Sequence, residues 1–158
     1  LAAALVAMVA RLTIGRKTYA AADARARQIL AEAEALRTEL RRLVDEDAAA
    51  YEGVSRAYKI PRDDPGRARA IDDALIGACR TPAEVTRRAG RVLKLAVEIE
   101  TIGNKNAVSD ARVARMLAET AITGAVENIK INAEGISDRK RADPLLNPTG
   151  GATIVGLG

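Results

Sequence analysis

Between Ala20 and Tyr58 the chain carries no proline and one glycine, Gly53. Leu36, Leu40, Leu43, Asp47, Tyr51, Val54 and Tyr58 follow one another at intervals of 4, 3, 4, 4, 3 and 4 residues. That spacing lays them along one stripe of a helix. A helix of such length, interrupted only by Gly53, commits the fold to long helices packed side by side. The rest of the chain agrees: Ala, Leu, Arg and Glu dominate, β-branched runs are short, and no strand-like alternation persists. Further helices are expected over about Leu1–Thr13, stopping near Gly15, and over about Arg67–Cys79. Another opens at Thr81 as N-cap, with Pro82 in the first turn and Glu84 closing a capping box, and runs to about Ile102. A last one, N-capped by Ser109, spans about Asp110–Glu134. The segment from Lys59 to Gly66 holds Pro61 and Pro65 and reads as a loop. The expected fold class is all-α, a bundle of about five to six helices with long antiparallel members.

At 158 residues the chain suits one domain. We divide it into a helical part, 1–141, and a Gly-rich segment, 142–158, packed onto it. Pro144 to Gly158 contains no charged residue but several Leu, Ile and Val, a composition that favours burial over a disordered tail.

Absent residue types narrow the chemistry. There is no His, Trp or Phe, and Cys79 is the sole cysteine. Ser-His-Asp and Cys-His catalysis, His-ligated metals, zinc ribbons, iron–sulfur cages and internal disulfides are all excluded. Three tyrosines as the only aromatics make base stacking an unsuitable binding mode. The net charge of +4, from 25 basic and 21 acidic residues, suits a small anionic ligand and is too weak to argue for nucleic acid. The lack of paired cysteines fits a reducing, cytoplasmic setting. Leu1 to Ala10 is uncharged, but it has no basic leader and is too short to span a bilayer, so no membrane partner is expected.

Asp47 is the position of greatest interest, since a carboxylate within an apolar stripe loses hydration and can hold or release a proton near neutral pH. Its alternative is structural, pairing with an Arg or capping a neighbouring helix. On the last helix Val113, Leu117, Ala121, Gly124, Asn128 and Asn132 fall in a line. Asn128 and Asn132 on an inward face would need partners, a neighbouring backbone or a polar ligand. Gly124 would allow a helix crossing or a flat ring to approach. Arg16 and Lys17, beside Gly15, are either a solvated helix end or a receiver for carboxylate or phosphate. Arg139-Lys140-Arg141 reads as solvated surface, Gly103-Asn104 with Ser109-Asp110 as a capped interhelical loop first and a ligand loop second, and Cys79 as buried filler.

Several motifs together resemble a known family. Leu5-Val6-Ala7-Met8-Val9-Ala10-Arg11-Leu12-Thr13-Ile14-Gly15-Arg16-Lys17 resembles the opening helix of the cyclodeaminase/cyclohydrolase family of folate enzymes. Leu43-Val44-Asp45-Glu46-Asp47-Ala48-Ala49-Ala50-Tyr51 and Ala57-Tyr58-Lys59-Ile60-Pro61 extend the likeness, as do Gly103-Asn104 with Ser109-Asp110 and the run from Gly124 to Asn132. The resemblance covers about residues 1–138. It implies a helical homodimer with folate held in a groove between subunits, and it places the family's catalytic carboxylate on Asp47. Arg16 and Lys17 would meet the glutamate tail of the substrate. Asn104, Asn128 and Asn132 would hydrogen-bond the pterin or the one-carbon bridge, and Tyr51 and Asp110 lie within matching motifs as further substrate contacts. The Gly150-Gly151 backbone would approach the ligand closely.

One departure is present. The family's Gly-rich opening is missing ahead of Leu1, whereas Asn147 to Gly158 resembles it, which implies a circularly permuted order with Gly158 close to Leu1. The implied activity is methenyltetrahydrofolate cyclohydrolase or, alternatively, formiminotetrahydrofolate cyclodeaminase, with no metal and no cofactor beyond the tetrahydrofolate substrate. The competing classes are a non-catalytic helical dimer or folate binder and a basic helical nucleic-acid binder.

Overall fold

A residue in the left-handed region follows the first helix and turns the chain out of it. Helix α1 (Ala2–Thr13) closes at Gly15, whose φ of +75° favours glycine. The computed structural model describes residues 1–146. After α1 come a short 3₁₀ segment over Lys17–Ala22 and the long α2 (Asp23–Tyr58). Then follow α3 (Arg67–Ala78), α4 (Arg80–Ile102), a 3₁₀ turn at Lys105–Ala107, α5 (Val108–Glu134) and α6 (Arg139–Leu146). No strand occurs among the described residues, and the all-α expectation is borne out. The expected segment 142–158 falls mostly on residues 147–158, outside the described residues, as does the implied neighbourhood of Gly158 and Leu1.

Several boundaries differ from those expected. Helix α2 runs unbroken through Gly53, since one glycine costs only about 1 kcal/mol in a long helix. Thr81 and Ser109 lie inside α4 and α5 rather than capping them. Cys79 keeps helical angles between α3 and α4, so the chain does not leave the helical region there, and Pro82 needs no amide partner in the first turn of α4. Helix α6 is additional. Its start is fixed by Asp138, whose carboxylate accepts the Lys140 N–H at 3.0 Å.

The described residues form two compact units, the first from residues 1–42 and 87–123, the second from residues 43–86 and 124–146. The first is built on alanine. Ala3, Ala7 and Ala10 of α1, Ala26 and Ala33 of α2, Ala96 of α4, and Ala111, Ala114 and Ala118 of α5 share its core with Val6, Val9, Ile29, Val92, Leu95 and Ile99. Small side chains at the contacts let helix axes approach to the close end of the usual 8–10 Å range. Ion pairs rim this core: Arg25 to Glu98 (2.5 Å), Arg88 to Glu39 (2.8 Å), Arg11 to Glu34 (2.7 Å), and Arg91 to Glu32. Exposed pairs of this kind contribute at most about 1 kcal/mol each, so their role is to fix helix register. The second unit gathers Ala57, Ile71, Leu75, Ala133, Ile136 and Ala142, with Val54, Leu145 and Leu146 packed against them.

Candidate functional site

In the first unit, the end of α1 and the loop before α5 are tied together by side chains. Thr13, fully buried, donates its hydroxyl to the Val9 carbonyl (2.8 Å) and accepts the Asn104 N–H (2.9 Å). The Asn104 amide donates to the Leu12 carbonyl (2.9 Å), one of the carbonyls a helix end leaves unpaired, and its Oδ1 accepts the Asn106 N–H (3.0 Å). The Tyr19 hydroxyl accepts the Lys105 N–H at 2.9 Å and lies 3.5 Å from Asn104 Oδ1. Gly103 makes this approach possible. A Cβ there would lie 2.5 Å from the Ile99 carbonyl oxygen and 3.2 Å from Thr13 Oγ1. Asn104 is therefore a staple whose amide is engaged within the chain, in line with the capped interhelical loop expected here.

Arg16 and Lys17 project from the turn that this staple supports, and both are exposed. Neither side chain has an ion pair among the described residues. The turn is held from its other side by Asp23, which accepts the Gly15 N–H at 2.6 Å and pairs with Arg27 at 2.7 Å. The Gly15 hydrogen bond first, and the Arg27 guanidinium second, hold the Asp23 carboxyl below the usual carboxylate range. Asp110 lies half-buried in the first turn of α5, where a negative charge complements the helix dipole.

In the second unit Asp47 departs from expectation. Leu43 is buried and Val54 and Ala57 pack inward, yet Asp47, which lies on the same helical line, is exposed. Tyr51 (74% exposed) and Tyr58 (49%) are exposed too. The burial expected for Asp47 is thus absent among the described residues: the line of α2 contacts lapses between Leu43 and Val54. On α5 the expected inward line is displaced. Val113, Ala121, Gly124 and Asn128 are exposed, and the buried face runs instead through Ala111, Ala114 and Ala118 in the first unit and Ala125 and Ala133 in the second. Among the described residues nothing lies within 4 Å of a Cβ added at Gly124, so none of them approaches it closely. Asn132 is half-buried and donates to the Ala78 carbonyl at 3.4 Å. Among the described residues no side-chain hydrogen bond joins Asp47, Tyr51 or Asn128 to another group. Gly150 and Gly151 lie outside the described residues.

The second unit also contains a buried carboxylate that the helical pattern does not reveal. Asp72, 4% exposed, accepts the Ser137 N–H (2.8 Å), the Ser137 hydroxyl (2.9 Å) and the Asp138 N–H (3.0 Å). Burial pushes the Asp72 carboxyl up, but these hydrogen bonds, with the Arg141 charge, outweigh it and leave it below the ordinary value. Arg141 pairs with Asp73 at 2.5 Å, so the expected solvated run contains an anchored member. Arg69, Asp72, Asp138 and Arg141 line an open cavity of about 410 Å³. Its two arginines both pair with Asp73, at 3.9 and 2.5 Å, and Asp47 is not among its lining residues. The signal for this latch in the sequence is Ser137-Asp138 ahead of a charged helical turn, an N-cap pattern. Cys79 is buried as expected, and burial pushes its thiol up.

Comparison with known proteins resolves the family. The model of the formiminotransferase-cyclodeaminase family matches residues 1–149. A Methylorubrum extorquens methenyltetrahydrofolate cyclohydrolase is 36% identical over 148 residues, covering 91% of this chain and 71% of that protein. The formimidoyltransferase-cyclodeaminase of Sus scrofa is 33% identical over 140 residues, or 86% of this chain, which corresponds to 26% of that longer protein. Among solved structures, formiminotetrahydrofolate cyclodeaminase from Thermotoga maritima superposes with a TM-score of 0.81 at 29% identity, covering 92% of this chain and 70% of that one. With helices, motifs and relatives in agreement over nearly its whole length, the chain belongs to the formiminotransferase-cyclodeaminase family.

Proposed function

We propose that the chain is a folate one-carbon enzyme, a methenyltetrahydrofolate cyclohydrolase in which Asp47 is the catalytic carboxylate. The observation that carries this reading is the 36% identity to a relative named for that activity, across 91% of the chain. In the reaction, water adds to the cationic carbon bridging N5 and N10, and a carbon–oxygen bond forms. The attacking water loses one proton. The bond from the bridge carbon to N5 then breaks as the second proton passes from the carbinol hydroxyl to N5, leaving a formyl group on N10 and one proton released. An acid group beside the bridge serves twice, stabilising the cation and accepting the proton from water.

Asp47 suits this role because no side-chain partner among the described residues occupies it and it lies in register with buried positions of α2. Exposed Tyr51 and Asn128 serve in this reading as substrate contacts, with Asn132 and Asp110. Arg16 and Lys17 receive the carboxylates of the glutamate tail, each contact being a charge-assisted hydrogen bond. The homodimer belongs to the same proposal. In the second unit Val44 (67% exposed) and Ile131 (68%) are exposed apolar side chains, and in this proposal a second copy covers such surface and forms the groove around Asp47. The proposal uses no metal or redox cofactor and assigns the reaction to the cytoplasm. No helix among the described residues is long and apolar enough to cross a membrane.

A second reading, formiminotetrahydrofolate cyclodeaminase, is favoured by the names of the pig and Thermotoga relatives. There Asp47 would shuttle the proton as the formimino carbon closes onto N10 and ammonia leaves. Both readings are tested by following the absorbance of methenyltetrahydrofolate with wild type and Asp47→Asn, and ammonia release from formiminotetrahydrofolate in parallel. Loss of the general base is expected to lower kcat by about 10²-fold or more. Equal rates in both proteins would remove Asp47 from the mechanism, and ammonia release without hydrolysis would select the second reading.

A further inference from the structure

We propose that Tyr19 is a positioning residue for substrate, holding the turn that carries Arg16 and Lys17. The proposal rests on the reading that those two cations receive the glutamate carboxylates. Arg16 and Lys17 are exposed, and long side chains on a loose turn would lose much of their advantage to disorder on binding. Tyr19 counters this at both of its ends. Its backbone N–H donates to the Arg16 carbonyl at 2.9 Å and closes the turn. Its hydroxyl accepts the Lys105 N–H at 2.9 Å and so pins the turn to a loop 86 residues away. That loop is itself rigid: Asn104 is bound to Leu12, Thr13 and Asn106, and Gly103 is pressed against Ile99. Tyr19 departs from helical geometry within its 3₁₀ segment (φ −116°, ψ 23°), which marks a kink at the residue whose hydroxyl makes this contact.

The test compares steady-state kinetics of wild type, Tyr19→Phe, the double variant Arg16→Gln/Lys17→Gln and their triple combination. Each acts on 5,10-methenyltetrahydrofolate and on the same compound lacking its glutamate. Loss of two charge-assisted contacts is expected to raise KM for the glutamate-bearing substrate about tenfold more than for the truncated one. If the held turn falls to about a third of the population, Tyr19→Phe raises the same KM about threefold, with kcat little changed. In the triple variant Tyr19→Phe then adds nothing further.

A double-variant effect without a Tyr19→Phe effect overturns the positioning role and leaves the cation reading standing. No double-variant effect overturns the cation reading. Equal losses on both substrates, or a fall in kcat alone, would make Tyr19 a general structural residue and overturn the proposal. Should Tyr19→Phe unfold, Lys105→Pro removes the same hydrogen bond from its donor side. It does so at the first position of a 3₁₀ turn and after an Asn104 whose ψ of 120° already suits a following proline. The same selective rise in KM is expected, and its absence overturns the proposal.

Discussion

Replacing Asp72 by asparagine exchanges one acceptor oxygen for an NH₂ group, at a site where each oxygen of the carboxylate is already engaged. Oδ1 accepts the Ser137 N–H at 2.8 Å and Oδ2 the Asp138 N–H at 3.0 Å, with the Ser137 hydroxyl 2.9 Å from both. Whichever way the amide is turned, its NH₂ group faces one backbone N–H. Asp72 itself is only 4% exposed, whereas Ser137 and Asp138, which carry the donors, are exposed, so water can reach the N–H that is given up. What is lost is a hydrogen bond to a charged acceptor, about 1.5–3 kcal/mol. For a chain of this length such a loss lowers the thermal midpoint by about 5–10 °C.

The pH dependence has a definite sign. The folded carboxyl lies below its ordinary value, so its contribution is fully present at neutral pH and fades as pH falls through the folded pKa. Urea unfolding of wild type and Asp72→Asn at pH 7, and again below about pH 4, is the assay. The two proteins should differ widely at pH 7 and converge in acid. A difference under about 0.5 kcal/mol at pH 7, the scale of ordinary surface substitutions, or one that widens in acid, would refute the reasoning.

Three further outcomes are expected. Gly103→Ala places a Cβ 2.5 Å from the Ile99 carbonyl and should cost about 1–3 kcal/mol in urea unfolding. Gly135→Ala, whose nearest contacts are the Leu75 side-chain tip at 3.0 Å and the Asn132 carbonyl at an ordinary 3.4 Å, should cost less. Cys79 is buried with its thiol pushed up, so it should react with a disulfide reagent at pH 8 about 10²-fold more slowly in the native protein than in denaturant. Rapid native labelling would contradict its burial.

The helical class and the length of α2 were legible because they depend on local periodicity, which needs no partner. The inward face of α5 was not. Its buried positions are alanines, which periodic hydrophobicity hardly distinguishes from surface residues, and larger Val113 and Leu117 suggested a different line. Asp47 was placed on its helical line correctly, but exposure depends on what packs opposite, and that lies beyond the pattern of one helix. Asp72 gave no local sign because its partners are 65 and 66 residues away. The bonds of Asn104 to Leu12 and Thr13 leave no trace in the local pattern either, since they form only where the ends of α1 and α4 meet.

The alanines that fill the first core act as spacers, and spacers leave little slack. A valine at Ala7, Ala33 or Ala114, each fully buried, has nowhere to put its added methyls unless a facing residue shrinks or a whole rod slides outward. Sequence drift here should therefore be paired, with enlargement on one rod matched by reduction on its neighbour. Engineers seeking extra stability would do better on the charged rim than inside.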